Sequence, residues 1–126
     1  YWIPEAKNIR ELKALLARLE ALEEDLIREE NRLEKTEFSE ATPVVTESIR
    51  SMIQHLRAER DKLDKDIDDH IDRHPDLKQD QELLLSIPAI GKVTSRIMLS
   101  VIRGKQFESA SQCAAFLGLI PKQQES

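Results

Sequence analysis

Aromatic residues make up only 4% of this 126-residue chain, whereas charged residues make up 34%. Aromatic side chains supply much of the buried area of an ordinary core. Their scarcity excludes a large globular interior and favours helical rods with narrow apolar seams. A single cysteine, Cys113, excludes an internal disulfide framework. No apolar run approaches the roughly 20 residues needed to span a membrane, and no signal-peptide pattern is visible. The length is that of one ordinary domain. Together these absences predict a mostly helical, soluble, cytoplasmic protein with no membrane partner.

The net charge of −5 is unevenly spread. Residues 83–126 hold five cations (Lys92, Arg96, Arg103, Lys105, Lys122) and two acids (Glu108, Glu125), a net of +3. Residues 1–82 therefore carry a net of −8. Such asymmetry suggests two jobs. Phosphate neutralisation by Lys and Arg supplies most nucleic-acid affinity, so any nucleic-acid contact is expected on the C-terminal part.

From Glu5 to about Lys35 the apolar residues are Ile9, Leu12, Leu15, Leu16, Leu19, Leu22, Leu26, Ile27 and Leu33. Leu12, Leu19, Leu26 and Leu33 repeat at sevens, flanked by Glu, Lys and Arg, which is a heptad stripe. Residues 36–47, with Pro43 and several β-branched or hydroxyl side chains, read as a connecting loop. Thr46 or Ser48 is a candidate cap for the next helix. That helix carries Ile49, Met52, Ile53, Leu56, Leu63, Ile67 and Ile71 on one face and stops before Pro75. Two amphipathic helices joined this way pair as an antiparallel hairpin. One hairpin buries one seam and leaves flanking leucines partly exposed, so a second copy is the expected partner. A monomeric hairpin packed on another domain is the alternative. His70 and His74 lie four apart, a spacing that can share a metal ion. No glutamate follows the first histidine and no third ligand is specified nearby, so no metal site is assigned.

Beyond Pro75, Leu77, Leu83, Leu84 and Leu85 predict a helix over residues 76–86. Pro88 ends it, and Gly91 permits a positive φ or a close backbone approach. Val93, Ile97, Met98, Val101 and Ile102 then give a second helix of about ten residues. Helix, short apolar hairpin and helix form a pattern suited to holding a nucleic-acid backbone. The first-turn N–H groups of the second helix lack intrahelical partners and suit a phosphate oxygen. Gly91, Lys92, Val93 and Thr94 lie at this end, and Arg96 is placed along the same track as a fifth DNA contact. The other reading of the same residues is an ordinary helical turn, with Gly91 there for steric reasons. Phe107 and Ser109-Ala110-Ser111 begin one more short helix, residues 112–117, in which Cys113 reads as a small core residue with no histidine nearby to activate it. The predicted fold is all-α: a long antiparallel coiled-coil hairpin over residues 1–75, then a small helical domain over residues 76–126 containing a helix-hairpin-helix-like motif.

Three separated segments carry a family resemblance. They are residues 86–94 (Ser-Ile-Pro-Ala-Ile-Gly-Lys-Val-Thr), residues 107–110 (Phe-Glu-Ser-Ala), and residues 114–121 (Ala-Ala-Phe-Leu-Gly-Leu-Ile-Pro) with a serine five positions on. In this order they resemble the insertion-sequence transposases related to the pilin-gene invertase, the bridge-RNA-guided recombinases. Ala89 stands where these proteins often have a second glycine. The resemblance implies that residues 76–126 are the N-terminal part of the transposase domain and that the hairpin is the family's inserted coiled coil. It further implies a resolvase-like domain with four acidic residues holding magnesium, expected before residue 1. No cofactor is expected in the present chain. The family's serine nucleophile falls on Ser126; the residues alone show only a polar side chain at the end of the sequence. The reaction implied is strand cleavage through a covalent phosphoserine link, followed by strand exchange. Expected partners are DNA, a guide RNA for the full-length protein, and further copies of the chain through the coiled coil. Without the acidic domain the chain is expected to be inactive.

Two other classes fit the residues without the resemblance. One is a non-catalytic coiled-coil adaptor with a DNA-binding hairpin, and the other is a structural helical scaffold. Salt-dependent DNA binding separates the scaffold from the other two. Serine-dependent covalent capture separates the recombinase from the adaptor.

Overall fold

The computed structural model describes residues 6–39 and 42–104. Four helices make up nearly all of them: α1 (Lys7–Phe38), α2 (Pro43–Asp72), α3 (Pro75–Leu85) and α4 (Lys92–Gly104). The fold is all-α, with no strand among the described residues. No helix among them is long and apolar enough to cross a membrane. The chain divides into two compact units, one of Ala17–Asp68 and the other of Tyr1–Leu16 with Asp69–Ser126. This division differs from the expected one at residue 75, because the start of α1 and the end of α2 belong with α3 and α4.

In the unit Ala17–Asp68, the inward positions of α1 are Leu19, Leu22, Leu26 and Leu33, and those of α2 are Ile49, Ile53, Leu56, Leu63 and Ile67. Their spacing alternates between three and four residues, apart from the seven-residue steps that skip Glu29 and Arg60. That alternation keeps one narrow stripe of a helix facing a single neighbour. Leu22, Leu26, Ile53 and Leu56, each no more than 8% exposed, form the centre, with Leu33, Ile49 and Leu63 against it. Burying each such side chain is worth about 1.5–3 kcal/mol. Arg57 donates to Glu30 at 3.0 Å, and Arg50 lies 3.7 Å from Glu37. As the α2 partner moves back by seven, the α1 partner moves forward by seven, so the helices run antiparallel. These ion pairs are about half exposed and each contributes only about 0–1 kcal/mol. The apolar seam holds the pair together.

The link between the helices is shorter than the sequence suggested. Helix α1 runs on to Phe38, where Ser39 turns its N–H and hydroxyl to the Thr36 carbonyl. Helix α2 begins at Pro43, and the Thr42 carbonyl accepts from the N–H groups of Val45 and Thr46. Thr42, rather than Thr46 or Ser48, is therefore the residue at which α2 starts. Proline at the first helical position costs nothing, since its missing N–H would have had no intrahelical partner.

In the other unit, Ile9 and Leu12 of α1, Ile71 of α2, Leu77 and Leu84 of α3, and Leu99 and Ile102 of α4 are all buried. The ring of His70, 1% exposed, donates from Nε2 to the Asn8 carbonyl at 2.8 Å. That bond joins the first turn of α1 to α2 within the unit. His74 is extended (φ −119°, ψ 97°), as a residue before proline must be, and starts α3.

Leu26→Ala should cost about 2–5 kcal/mol in urea unfolding, because it empties a closed position of the seam. Ile27→Ala, at a neighbouring side chain that is 57% exposed, should stay within about 0.5 kcal/mol of wild type. Equal losses at the two positions would contradict the seam.

Candidate nucleic-acid interface

Six residues, 86–91, turn the chain from α3 into α4. Helix α3 closes on Ser86, whose N–H reaches back to the carbonyls of Glu82 and Leu83 and whose hydroxyl donates to the Leu83 carbonyl at 2.6 Å. The Ile90 N–H then bonds to the Ile87 carbonyl at 3.2 Å, enclosing Pro88 and Ala89 in a β-turn. Ala89 has φ of +73° and is the sole non-glycine residue with positive φ among the described residues. Proline followed by a positive-φ residue is the signature of a type II turn, whose third position favours glycine. The left-handed conformation expected at Gly91 thus belongs to Ala89, two residues earlier.

Gly91 has a different role. Its carbonyl accepts from the Ser95 N–H at 2.9 Å, which makes it the residue that starts α4. A Cβ added there would meet nothing within 4 Å, and its φ lies outside the left-handed region. Neither backbone strain nor internal packing requires glycine at this position. Gly91, Lys92, Val93 and Thr94 are all exposed, so four of the five expected contact residues lie together at the open N-terminus of α4. The first turn of α4 contains no acidic residue, and Lys92 places a cation at the positive end of the helix dipole.

Arg96 does not share this surface. It is 1% exposed and lies on the buried face of α4 with Ser95, Leu99 and Ile102. The cause is helical spacing: Arg96 is three residues before Leu99, whereas the exposed positions Val93, Ile97 and Val101 recur at fours. Its neighbours include a polar strip that the sequence did not reveal. Gln81 of α3 donates to the Ser95 hydroxyl at 3.3 Å, Ser95 donates to the Lys92 carbonyl at 2.7 Å, and Asp80 is 7% exposed. The strip joins α3 to the first turn of α4 directly beneath Gly91 and Lys92. Polar side chains buried in this way fix geometry, because they are costly to leave unmatched.

The apolar residues of α4 divide between two faces: Leu99 and Ile102 are buried, while Val93, Ile97 and Val101 are 66%, 52% and 42% exposed. His74 donates from Nδ1 to the His70 carbonyl at 2.7 Å, and the two rings sit 4.5 Å apart. One nitrogen of each ring is thus engaged by a backbone carbonyl. No group of three candidate metal ligands occurs among the described residues. Ser126, Cys113 and the expected helix over residues 112–117 lie outside the described residues.

Residues 81–126, which include this corner and all of α4, match the family model described as the transposase IS116/IS110/IS902 family. The chain is 34% identical to the pilin gene-inverting protein of Moraxella lacunata over 99% of its own length. It is 32% identical to the pilin gene-inverting protein of Moraxella bovis over the same share. The class to which these matches point is that of the transposases. Residues 81–126 belong with the IS116/IS110/IS902 family, and the chain spans 38% of the length of these two curated relatives.

Ala89→Gly should stabilise the chain by about 0.5–1 kcal/mol. Relief of the left-handed alanine is worth roughly 1–2 kcal/mol, and the greater freedom of glycine in the unfolded state takes back part of it. Denaturant unfolding of the two proteins measures the difference; a loss of stability would contradict the turn assignment.

Proposed function

We propose that this chain is the assembly and backbone-gripping part of a DNA transposase. In this reading the N-terminus of α4 holds a phosphate of the nucleic-acid backbone, and the hairpin of α1 and α2 associates with further copies of the chain. The observation that carries it is Gly91: an exposed glycine that neither φ nor packing requires, at the mouth of a helix whose first turn holds a lysine. A glycine there leaves room for a ligand to come against the backbone. The N–H groups of the first turn would bond to the phosphate oxygens, Thr94 would add a hydroxyl, and Lys92 would neutralise charge.

The chemistry follows from the resemblance, which gives Ser126 the nucleophile's role. Its oxygen forms a bond to the phosphorus as the bond from phosphorus to the departing strand breaks. The serine loses its proton and the departing strand gains one. Strand exchange then reverses these steps with a different strand, so no bond energy is lost. The magnesium-binding acidic domain belongs to the remainder of the full-length protein, as does the guide RNA. A metal there would supply charge neutralisation at the phosphoryl oxygens.

The direct test uses the full-length protein with its element-encoded RNA, magnesium and labelled target DNA. A denaturation-resistant protein–DNA adduct is expected from wild type and not from Ser126→Ala. DNA binding without any adduct, with RNA shown to be bound, would favour the non-catalytic adaptor instead. Grip at α4 is tested separately. Gly91→Leu should cost no more than about 1 kcal/mol of stability, as the loss of a favourable helix cap, yet weaken DNA binding roughly tenfold, about 1.4 kcal/mol. Lys92→Ala should lower the slope of log affinity against log salt by about 1. Unchanged affinity and slope in both would remove α4 from the interface.

A further inference from the structure

The acidic half of the chain is not acidic throughout. Residues 6–16 hold Lys7, Arg10 and Lys13 against one acid, Glu11, a net of +2 within a half that totals −8. This start of α1 belongs to the compact unit that contains α3 and α4, and not to the unit Ala17–Asp68. Buried Ile9 and Leu12, with the bond from His70 to the Asn8 carbonyl, fix its orientation in that unit. Lys7, Arg10, Lys13 and Ala14 are left exposed on its outer side.

These cations differ from the arginines of the hairpin. Arg28, Arg32, Arg50, Arg57 and Arg60 each lie against a carboxylate. Lys7 and Arg10 make no ion pair with any described residue. Residues three apart on a helix have Cβ atoms about 5–6 Å from each other, so Lys7, Arg10 and Lys13 form a continuous row. At 1.5 Å per residue the row is roughly 9 Å long. Duplex DNA carries one charge per about 1.7 Å of its axis, so a row of that length meets several phosphates. Ala14, four residues after Arg10, leaves the helix surface low enough for a strand to come close.

We propose that this row on α1 is a second contact for the phosphate backbone of duplex DNA, separate from the N-terminus of α4. The proposal rests on the reading of the chain as part of a DNA transposase, and not on the grip at α4. The acidic hairpin of a second copy is the competing occupant. There, however, Glu24, Asp25, Glu29, Glu30, Glu37 and Asp61 are already matched by arginines. DNA phosphates have only condensed counterions as partners, and releasing these favours binding. One phosphate contact is a pivot, whereas two contacts from one compact unit set the direction in which the backbone runs.

The test measures binding of a labelled DNA duplex of arbitrary sequence to the full-length protein over a range of salt concentrations. Lys7→Ala combined with Arg10→Ala should lower the slope of log affinity against log salt by about 2, since each phosphate contact contributes about 0.9. Binding at low salt should weaken about tenfold or more, with the unfolding midpoint unchanged because both side chains are exposed. Lys62→Ala combined with Lys65→Ala, exposed on α2 in the unit Ala17–Asp68, removes the same charge and should leave the slope as it is. An unchanged slope in the Lys7 and Arg10 variant would overturn the proposal. Equal loss in the Lys62 and Lys65 variant would do the same, by showing that DNA feels only net charge. If the Lys7 and Arg10 variant kept its DNA slope but lost self-association by light scattering, the row would belong to a second copy. If only the slope for a duplex of RNA fell, it would belong to the guide. Either result would overturn the proposal. The slope of Lys92→Ala reads α4 alone, so failure of one contact is distinct from failure of the other.

Discussion

Every part of this structure answers to one constraint: a chain with 34% charged residues and 4% aromatics can bury only strips. In the unit Ala17–Asp68 that strip is the seam of Leu22, Leu26, Ile53 and Leu56, and little else is closed to water. A strip of this width faces one helix at a time. Each helix must therefore be long to bury enough, and α1 and α2 reach 32 and 30 residues. Length along a single seam replaces the thickness of a globular core. The charged residues on the remaining faces keep the helices hydrated, and their ion pairs add little at this exposure. The same geometry explains why further copies are the natural partners in the proposed assembly. Ile27, Phe38, Val44 and Met52 stay 47–86% exposed because a two-helix seam has no third surface to offer them.

The corner between α3 and α4 obeys a different logic. Buried leucines alone would let the two helices slide, because apolar contacts are non-directional. The polar strip of Gln81, Ser95 and the Lys92 carbonyl has direction, and it fixes the first turn of α4 against α3. The turn at Pro88 and Ala89 then sets where the chain enters α4. A left-handed alanine persists only where its surroundings over-determine it, and here the proline before it and the hydrogen bond across it do so. The outcome is a helix N-terminus held firmly from below and open above.

Much of this was legible in the sequence, and the exceptions share a cause. The four helices and the seam were readable because the heptad spacing admits one face only. The N-terminus of α2 was misplaced because Pro43 was read as a breaker; behind Thr42 it is a starter. The faces of α4 were left open for a related reason. Val93, Ile97, Met98, Leu99, Val101 and Ile102 surround much of the helix, so periodicity alone offers two faces. The choice is made by α3, through contacts that no local pattern encodes. Arg96 shows the same limit, since a charged residue near a proposed phosphate site reads as a ligand until the fold buries it. Gly91, Lys92, Val93 and Thr94 were readable as a group because helix geometry places the first turn at the open end whatever the packing.

The proposed grip also bears on how a target is chosen. First-turn N–H groups, a threonine hydroxyl and a lysine contact phosphate, which is the same at every nucleotide. Such a site holds a backbone firmly and reads no base. Direct readout needs side chains in a groove, commonly Arg, Asn or Gln paired with base edges. At this corner Arg96 and Gln81 are turned inward, and the exposed residues of α4's first turn are Lys92, Val93 and Thr94. A recombinase built on this corner must take its sequence information from elsewhere, and base pairing with a guide RNA is one chemistry that supplies it. A protein surface blind to sequence is compatible with any target, which is why the proposed grip and the proposed guide RNA fit together on physical grounds.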